Sequence, residues 1–496
     1  MRETLTFLAA AVLVVLALAL AVPPFIDWTA YGAALGARVG QALDADVRLN
    51  GRLSIRLLPS PHFQTGALRV TRPGLDIEAD GASLELSLPP LLRGIFTIAS
   101  ARLDRPRIAI DTTASGKMPD LGDLGIDRLA ARDASFVLTT PAGVRRLDHV
   151  DLVASAESGI GPFKGQGFVR ADSRLLPFRI ATGAVSGGVL PVKIDVDPLA
   201  GLPKAEISGA LKLGAQPRFE GTALLSGEIE GAAYSGAALL WRVRLDGTAS
   251  PQAVDAGKIE ARVGDRGQWV AAGRGRLDET GTSVSLTSER PDFDRLFAAY
   301  APVRIAQSLA AGAADRMFAV DWRADTSVLG GEVVDDARVA LSRRPGDASG
   351  RTRLETSLSV TRGGALSFRG DIQGIARAEG DLALRTEDVP AFARWLAALS
   401  PDMRAPDLPV RRADIAGRLD IGGARAALRD LRATLDRSVF TGSVDYAPAT
   451  GRTPPKLVAD LRADALDIDA LPDLAGLGSH AGGVDLAVAL DARAIR

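Results

Sequence analysis

Apolar and polar residues alternate along most of this chain with a period of two. Val47 and Leu49 alternate with Asp46, Arg48 and Asn50, and Leu53, Ile55 and Leu57 alternate with Arg52, Ser54 and Arg56. The same pattern returns at Leu84, Leu86 and Leu88, at Ile108 and Ile110, at Val150 and Leu152, and at Ile194 and Val196. It continues through Trp241, Val243 and Leu245, through Val284 and Leu286, and through Phe318, Val320 and Trp322. The last sets are Leu382 and Leu384, then Phe440, Val444 and Tyr446, then Val484, Leu486, Val488 and Leu490. Successive side chains of a strand point to opposite faces, so this pattern predicts antiparallel strands with one apolar and one polar face. Gly, Asp and Pro between the sets mark the turns. Asn50-Gly51 predicts a two-residue hairpin, and Pro59 and Pro61 end its second strand.

The departures from this period predict the remaining elements. Residues 5–22 are apolar apart from Thr6 and carry no charge. As a helix they reach about 27 Å, close to the thickness of a bilayer core. Pro23-Pro24 ends that helix. We read the run as a retained membrane anchor behind a short cytoplasmic tail, residues 1–4, with the bulk of the chain outside the cytoplasm. The alternative is a signal peptide cut after Ala19-Leu20-Ala21. Residues 27–43 predict a helix capped by Asp27, with Trp28, Tyr31, Leu35, Val39 and Ala42 along one face. That stripe is expected to pack on the sheet. A second reading lays it on a membrane surface, which suits Trp28 and Tyr31. Short helices near 292–300, 388–399 and 467–474 each open with an aspartate and follow an alternating segment, a loose strand-then-helix repeat. Residues 111–125 are the least regular and read as a loop.

Composition excludes several classes of function. The net charge is −1, and acids are interspersed with bases, so no basic stripe offers itself to nucleic acid. The chain has no cysteine, hence no disulfide, thiolate metal site or cysteine nucleophile. His62, His149 and His480 lack ligand spacing. No nucleophile elbow, phosphate loop or dinucleotide fingerprint is present, and Gly273-Arg274-Gly275 lacks the third glycine. The chain reads as a protein without enzymatic activity, metal or cofactor.

An apolar sheet face must be covered, and the few short helices cannot cover so many strands. Either the sheet packs on another sheet, or it curls into a trough whose lining holds something apolar. The low aromatic content of 5% and the membrane tether both favour the trough.

Two segments carry a family resemblance. One is PPFIDWTAYGAALGARVGQALDADVRLNGRLSIRLLPSP, an aspartate-led helix followed by a strand, a glycine, and a strand closing on LLPSP. The other is LELSLPPLLRGIFTIASARLDRPRIAI, with a Leu-Leu-x-Gly-x-x-x-Ile step before a strand ending in Pro-x-Ile. Together with the anchor they resemble the AsmA family of bacterial envelope proteins over about residues 1–112. Further on, GSVDYAPATGRTPPKLVADLRADALDIDAL is similar to a segment such proteins carry before their C-terminal part. Members usually continue into a further C-terminal domain, so the resemblance reads this chain as a short member or a piece of one.

The resemblance implies a single-pass protein of the bacterial inner membrane whose bulk is periplasmic. It implies a mainly β fold: one transmembrane helix, then a long curved antiparallel sheet shaped as a taco-like groove, with a few short helices. Residues 25–180 would form the N-terminal groove segment and 181–496 its continuation. It further implies carriage of phospholipid between the membranes in outer-membrane biogenesis. Leu53, Ile55, Leu57, Leu84, Leu86 and Leu88 are the expected lining. The partners would be membrane phospholipids and envelope proteins, with no nucleic acid. The alternative is a periplasmic scaffold that assists outer-membrane protein assembly by offering a strand edge.

Overall fold

A computed structural model describes residues 26–494 except 198–202, 230–237, 300–316, 344–350, 400–409, 450–453 and 465–484, most of 112–124, and a few short turns. The described chain is mainly β with few short helices, as the alternation predicts. No helix among the described residues is long and apolar enough to cross a membrane. The predicted anchor at 5–22 and the predicted helix at 467–474 lie outside the described residues. The chain divides into two compact units, residues 1–225 with 246–254, and residues 226–245 with 255–496.

The first unit opens with a 3-10 turn, Trp28–Tyr31, capped as predicted by the Asp27 carboxylate, which accepts from the Thr29 amide at 3.1 Å. Helix α1, Gly32–Leu43, follows and ends at Asp44 with φ +50°. Its packing differs from expectation. Among the described side chains of the helix the buried positions are Gly32, Gly36 and Gly40, whereas Tyr31 and Val39 are 56% and 42% exposed. A Cβ on Gly36 would lie 2.5 Å from the Val47 carbonyl oxygen, and one on Gly40 2.5 Å from that of Ala45. The helix therefore lies backbone to backbone on the strand that follows, and the absence of side chains, not an apolar stripe, permits the contact.

That strand is β1, Asp46–Asn50. It is followed by β2, Ser54–Arg56, β3, His62–Thr65, β4, Ala67–Arg72, and β5, Leu75–Ala79. Next come β6, Gly81–Leu86, the single turn α2, Leu88–Leu91, β7, Thr97–Asp104, and β8, Arg107–Asp111. Asn50-Gly51 does not make the predicted hairpin. β1 pairs β4 and β2 pairs β3. Gly51, at φ +81°, lies so close to Gly66 that a Cβ would sit 3.3 Å from its Cα, so the glycine serves a crossing of two chains. Two branches result, β1–β4–β5–β8 and β2–β3–β6–β7. Both end on one long strand, β9, Gly125–Thr140. Its first half runs parallel to β7 and its second half parallel to β8, with Asp133 at φ +50° between them. From β9 the sheet continues antiparallel through β10, Gly143–Ala156, β11, Phe163–Ala171, β12, Arg174–Thr182, β13, Val189–Val196, and β14, Lys204–Lys212.

β15, Arg218–Ile229, and β16, Leu239–Ala249, give residues to each unit. The second unit continues with β17, Ala253–Val263, whose first two residues belong to the first unit, then β18, Trp269–Asp278, and β19, Gly281–Ser288, and helix α3, Phe293–Ala299. β20, Phe318–Leu329, β21, Glu332–Arg343, β22, Thr352–Val360, β23, Gly364–Gln373, and β24, Arg377–Thr386, lead to helix α4, Val389–Ala398. β25, Ala413–Gly422, β26, Arg425–Leu435, β27, Ser438–Ala447, β28, Lys456–Ala463, and β29, Asp485–Ala492, complete it. Each neighbouring pair from β20 to β28 is antiparallel. β19–β20 and β28–β29 are parallel. The expectation of a wholly antiparallel sheet is thus corrected at β7–β9, β8–β9, β19–β20 and β28–β29. A parallel pair needs a crossover connection, and the residues between β19 and β20, which include α3, and those between β28 and β29 supply the length for one.

Candidate functional site

Residues directly paired across strands share a face, so the registers show which side chains stand together. In the first unit one such row runs Ile55, Phe63, Leu84, Ala101, Leu129, Ala154, Gly165, Ile180, Ile194 and Ile207. Beside it runs Ala82, Leu103, Ala131, Leu152, Gly167, Phe178, Val196 and Ala205. Not one charged residue stands in either row. The opposite face carries charges that pair with each other, as Arg179 does with Asp197 at 2.9 Å and Lys193 with Asp195 at 3.8 Å.

The second unit repeats this over eleven strands. Its central row is Val284, Val320, Leu341, Leu354, Gly370, Gly380, Leu419, Leu428, Val444, Ala459 and Val488. A second row holds Leu286, Trp322, Val339, Thr356, Phe368, Leu382 and Gly417. The Gly370–Gly380 gap in the central row lies under the Phe368 ring, which a Cβ on Gly370 would approach to 2.7 Å. The intervening positions are polar: Glu355 faces Arg369, which faces Asp381, which faces Arg418.

The two helices cover one end of this face. Phe392 and Trp395 of α4 pack with Ala324, Val334, Ala337 and Val360, and the Trp395 indole N–H donates to the Leu329 carbonyl at 2.8 Å. Leu296 of α3 packs on the fully buried Leu239. Phe293 meets Trp322 edge to face at 5.6 Å. The central row is different. Val320, Leu341, Leu354, Leu419 and Leu428 are only half-buried, and at β29 Leu486 and Val488 are 39% and 43% exposed. Among the described residues, every buried cluster joins side chains of strands consecutive in sequence, with or without one helix. Two packed sheets would instead interleave side chains from strands distant in sequence.

Ion pairs lace the polar face: Arg338–Asp321 at 3.0 Å, Arg369–Glu355 at 3.4 Å, Arg418–Glu379 at 2.7 Å and Arg385–Asp414 at 2.6 Å. The Arg323 hydrogen bond holds the Asp321 carboxyl below its ordinary range against partial burial, with Arg338 helping, and the Glu379 hydrogen bond raises the Arg418 guanidinium. A depression on this face is floored by Ser357, Ser367, Ala383 and Ala416. Arg338, Arg369 and Arg418 at its rim are each paired with a carboxylate, and Asp381, Asp430 and Arg432 also line it, so its lining carries charges of both signs and does not suit an apolar chain. The apolar face is therefore the candidate site. It can hold apolar chains by burial alone, without any reacting group.

The residues expected to line it fall out as follows. Ile55 and Leu84 stand in one row, and Leu86 stands in the adjoining row of Ile98, Ile126, Ala156 and Phe163. Leu53 is buried just before β2, Leu57 is 39% exposed just after it, and Leu88 begins the turn α2. The central row of the second unit was missed as a unit. Its members alternate visibly, but period two does not reveal which strand pairs with which.

The start of the chain now has its context: a capped helix, a glycine-packed contact, and two branches of apolar-faced strands. Residues 1–119 match the sequence model of the AsmA family. The AsmA resemblance read from the helix, the LLPSP strand and the Pro-x-Ile strand thus holds over the apolar run at 5–22, α1 and β1–β8. The remaining strands, including the whole second unit, lie beyond the AsmA match. No curated protein and no solved structure matches the chain.

Proposed function

We propose that this protein is a membrane-anchored carrier of the bacterial envelope that moves phospholipid along its apolar sheet faces. One observation carries the reading: an uncharged row crosses eleven strands of the second unit, most of it half-buried and without a facing sheet among the described residues. Acyl chains are the natural cover for such a row, since each methylene removed from water contributes about 0.8 kcal/mol. A row of like side chains gives a sliding chain no deep minimum, which suits conduction more than storage. The AsmA match at 1–119 supports a role in envelope biogenesis, and the apolar run at 5–22 supports tethering to the inner membrane with the sheets in the periplasm.

The test is in vivo photo-crosslinking with the full chain. Benzoylphenylalanine at Leu354 or Leu419, on the row, should capture phospholipid, detected as a phosphate-labelled adduct. The same probe at Glu355 or Arg369, on the polar face, should not. Equal or absent labelling on the two faces would refute lipid carriage. Crosslinks from the row to protein alone would move the assignment to an assembly scaffold.

A further inference from the structure

We infer that one flank of α1 is a membrane foot, which lies in the headgroup region of the bilayer and fixes the first strand of the sheet there. The inference rests on the reading of residues 5–22 as an anchor. A short helix beside a sheet normally turns its apolar stripe inward. Among the described side chains of the helix the inward positions are Gly32, Gly36 and Gly40, so Tyr31 and Val39 are left outside. Trp28, Tyr31, Leu35 and Val39 recur at spacings of three and four and form one flank. Tyr31 is 56% exposed and Val39 42%, with Leu35 half-buried between them and Trp28 half-buried at the end of the flank. The Trp28 and Tyr31 rings stand 6.2 Å apart at 58°. The other flank is Ala33 and Ala37, exposed and small. Arg38 is the single charge on the helix.

A lipid surface is the occupant that fits. The eighteen-residue apolar run ends at Val22, five residues before Asp27, so α1 begins within a few residues of wherever that run leaves the bilayer. Tryptophan and tyrosine are the residues that favour the membrane interface. An apolar flank of this kind sinks about 5–10 Å into the headgroup and acyl boundary. Arg38 can run its stem along the flank and reach a lipid phosphate. The glycine contact gives the foot its use. Because α1 touches β1 through backbone atoms, its height and tilt pass directly to Asp46–Asn50. The sheet's first strand is then held within about one helix diameter, 10–12 Å, of the interface.

The chain has no cysteine, so single labels can be placed cleanly. Full-length Val39→Cys and Ala37→Cys variants, each carrying an environment-sensitive fluorophore on the introduced thiol, are reconstituted into vesicles of phosphatidylcholine and phosphatidylglycerol. Some vesicles carry a quencher high on the acyl chain. Flotation reports anchoring, and quenching reports the foot. The expected result is that both variants float, with a blue shift and loss of emission in Val39→Cys and neither in Ala37→Cys. Flotation with equal, weak quenching in the two variants would overturn the foot and leave the anchor standing. Failure to float would overturn both.

Discussion

Replacing Gly36 by alanine sets two known effects against each other, and the structure decides the sign. In a free helix alanine is worth about 1 kcal/mol over glycine, so propensity alone predicts a more stable α1. In this protein the new Cβ would lie 2.5 Å from the Val47 carbonyl oxygen. Non-bonded heavy atoms prefer about 3.5 Å or more, so α1 must move roughly 1 Å off β1 or distort it. Overpacking of this kind costs about 1–3 kcal/mol, which leaves a net loss of about 0–2 kcal/mol after the propensity gain. Gly40→Ala meets the Ala45 carbonyl at the same 2.5 Å, so the double variant should lose clearly more. Gly32→Ala is the internal control. Its Cβ would meet the Leu49 carbonyl at 3.6 Å, an ordinary contact, so it should be neutral or slightly stabilising. Hydrogen exchange across residues 32–50 reads the effect locally, without needing global unfolding to be two-state. Faster exchange in Gly36→Ala and in the double variant, with unchanged or slower exchange in Gly32→Ala, is expected. Slower exchange in Gly36→Ala than in the wild type, the gain that helix propensity alone predicts, would refute the backbone-to-backbone packing of α1 on β1.

The remaining predictions concern the second unit. Trp395 is 3% exposed, pairs with Phe392 at 5.2 Å and donates to Leu329, so Trp395→Ala should cost about 3–5 kcal/mol in urea denaturation and expose the turn at Gly330 and Gly331 to exchange. A loss under about 1 kcal/mol would mean that α4 does not hold that end of the face. The Asp278 carboxyl is pulled from 3.8 to about 2 by the hydroxyl of Thr280, by Arg276, and by the Thr280 amide at 2.8 Å. A depressed carboxyl stabilises above its unfolded pKa and loses that contribution as pH falls through its folded pKa. Exchange at the Asp278–Gly281 turn should therefore be slower in wild type than in Asp278→Asn above pH 4. The difference should shrink as pH falls through about 2 and be gone below it, and a difference independent of pH would count against it.

The sequence by itself settled the kind of element and its two faces. Period two at Val284, Val320 or Leu382 follows from strand geometry alone, because a pleated backbone sends neighbours to opposite sides whatever the partner strand is. The Asp27 and Asp388 caps were equally legible, since a cap needs only a short acceptor next to free amides, and both carboxylates do accept from the helix amides. The three-glycine spacing Gly32, Gly36, Gly40 was also in plain view, but residue type does not say whether a glycine is a defect in a helix or its contact face. That required the position of the Val47 and Ala45 carbonyls. Asn50-Gly51 carries the same lesson: a positive φ was needed there, but for a close passage beside Gly66 in place of a hairpin. Pairing was decided only by tertiary structure. Which strands adjoin, where β9 collects its two branches, and where pairs turn parallel all depend on contacts between segments far apart in the chain. The apolar row belongs to that class. Each leucine, valine or glycine in it was marked by local alternation, but only the register aligns Leu341, Leu354, Leu419 and Leu428 into one surface.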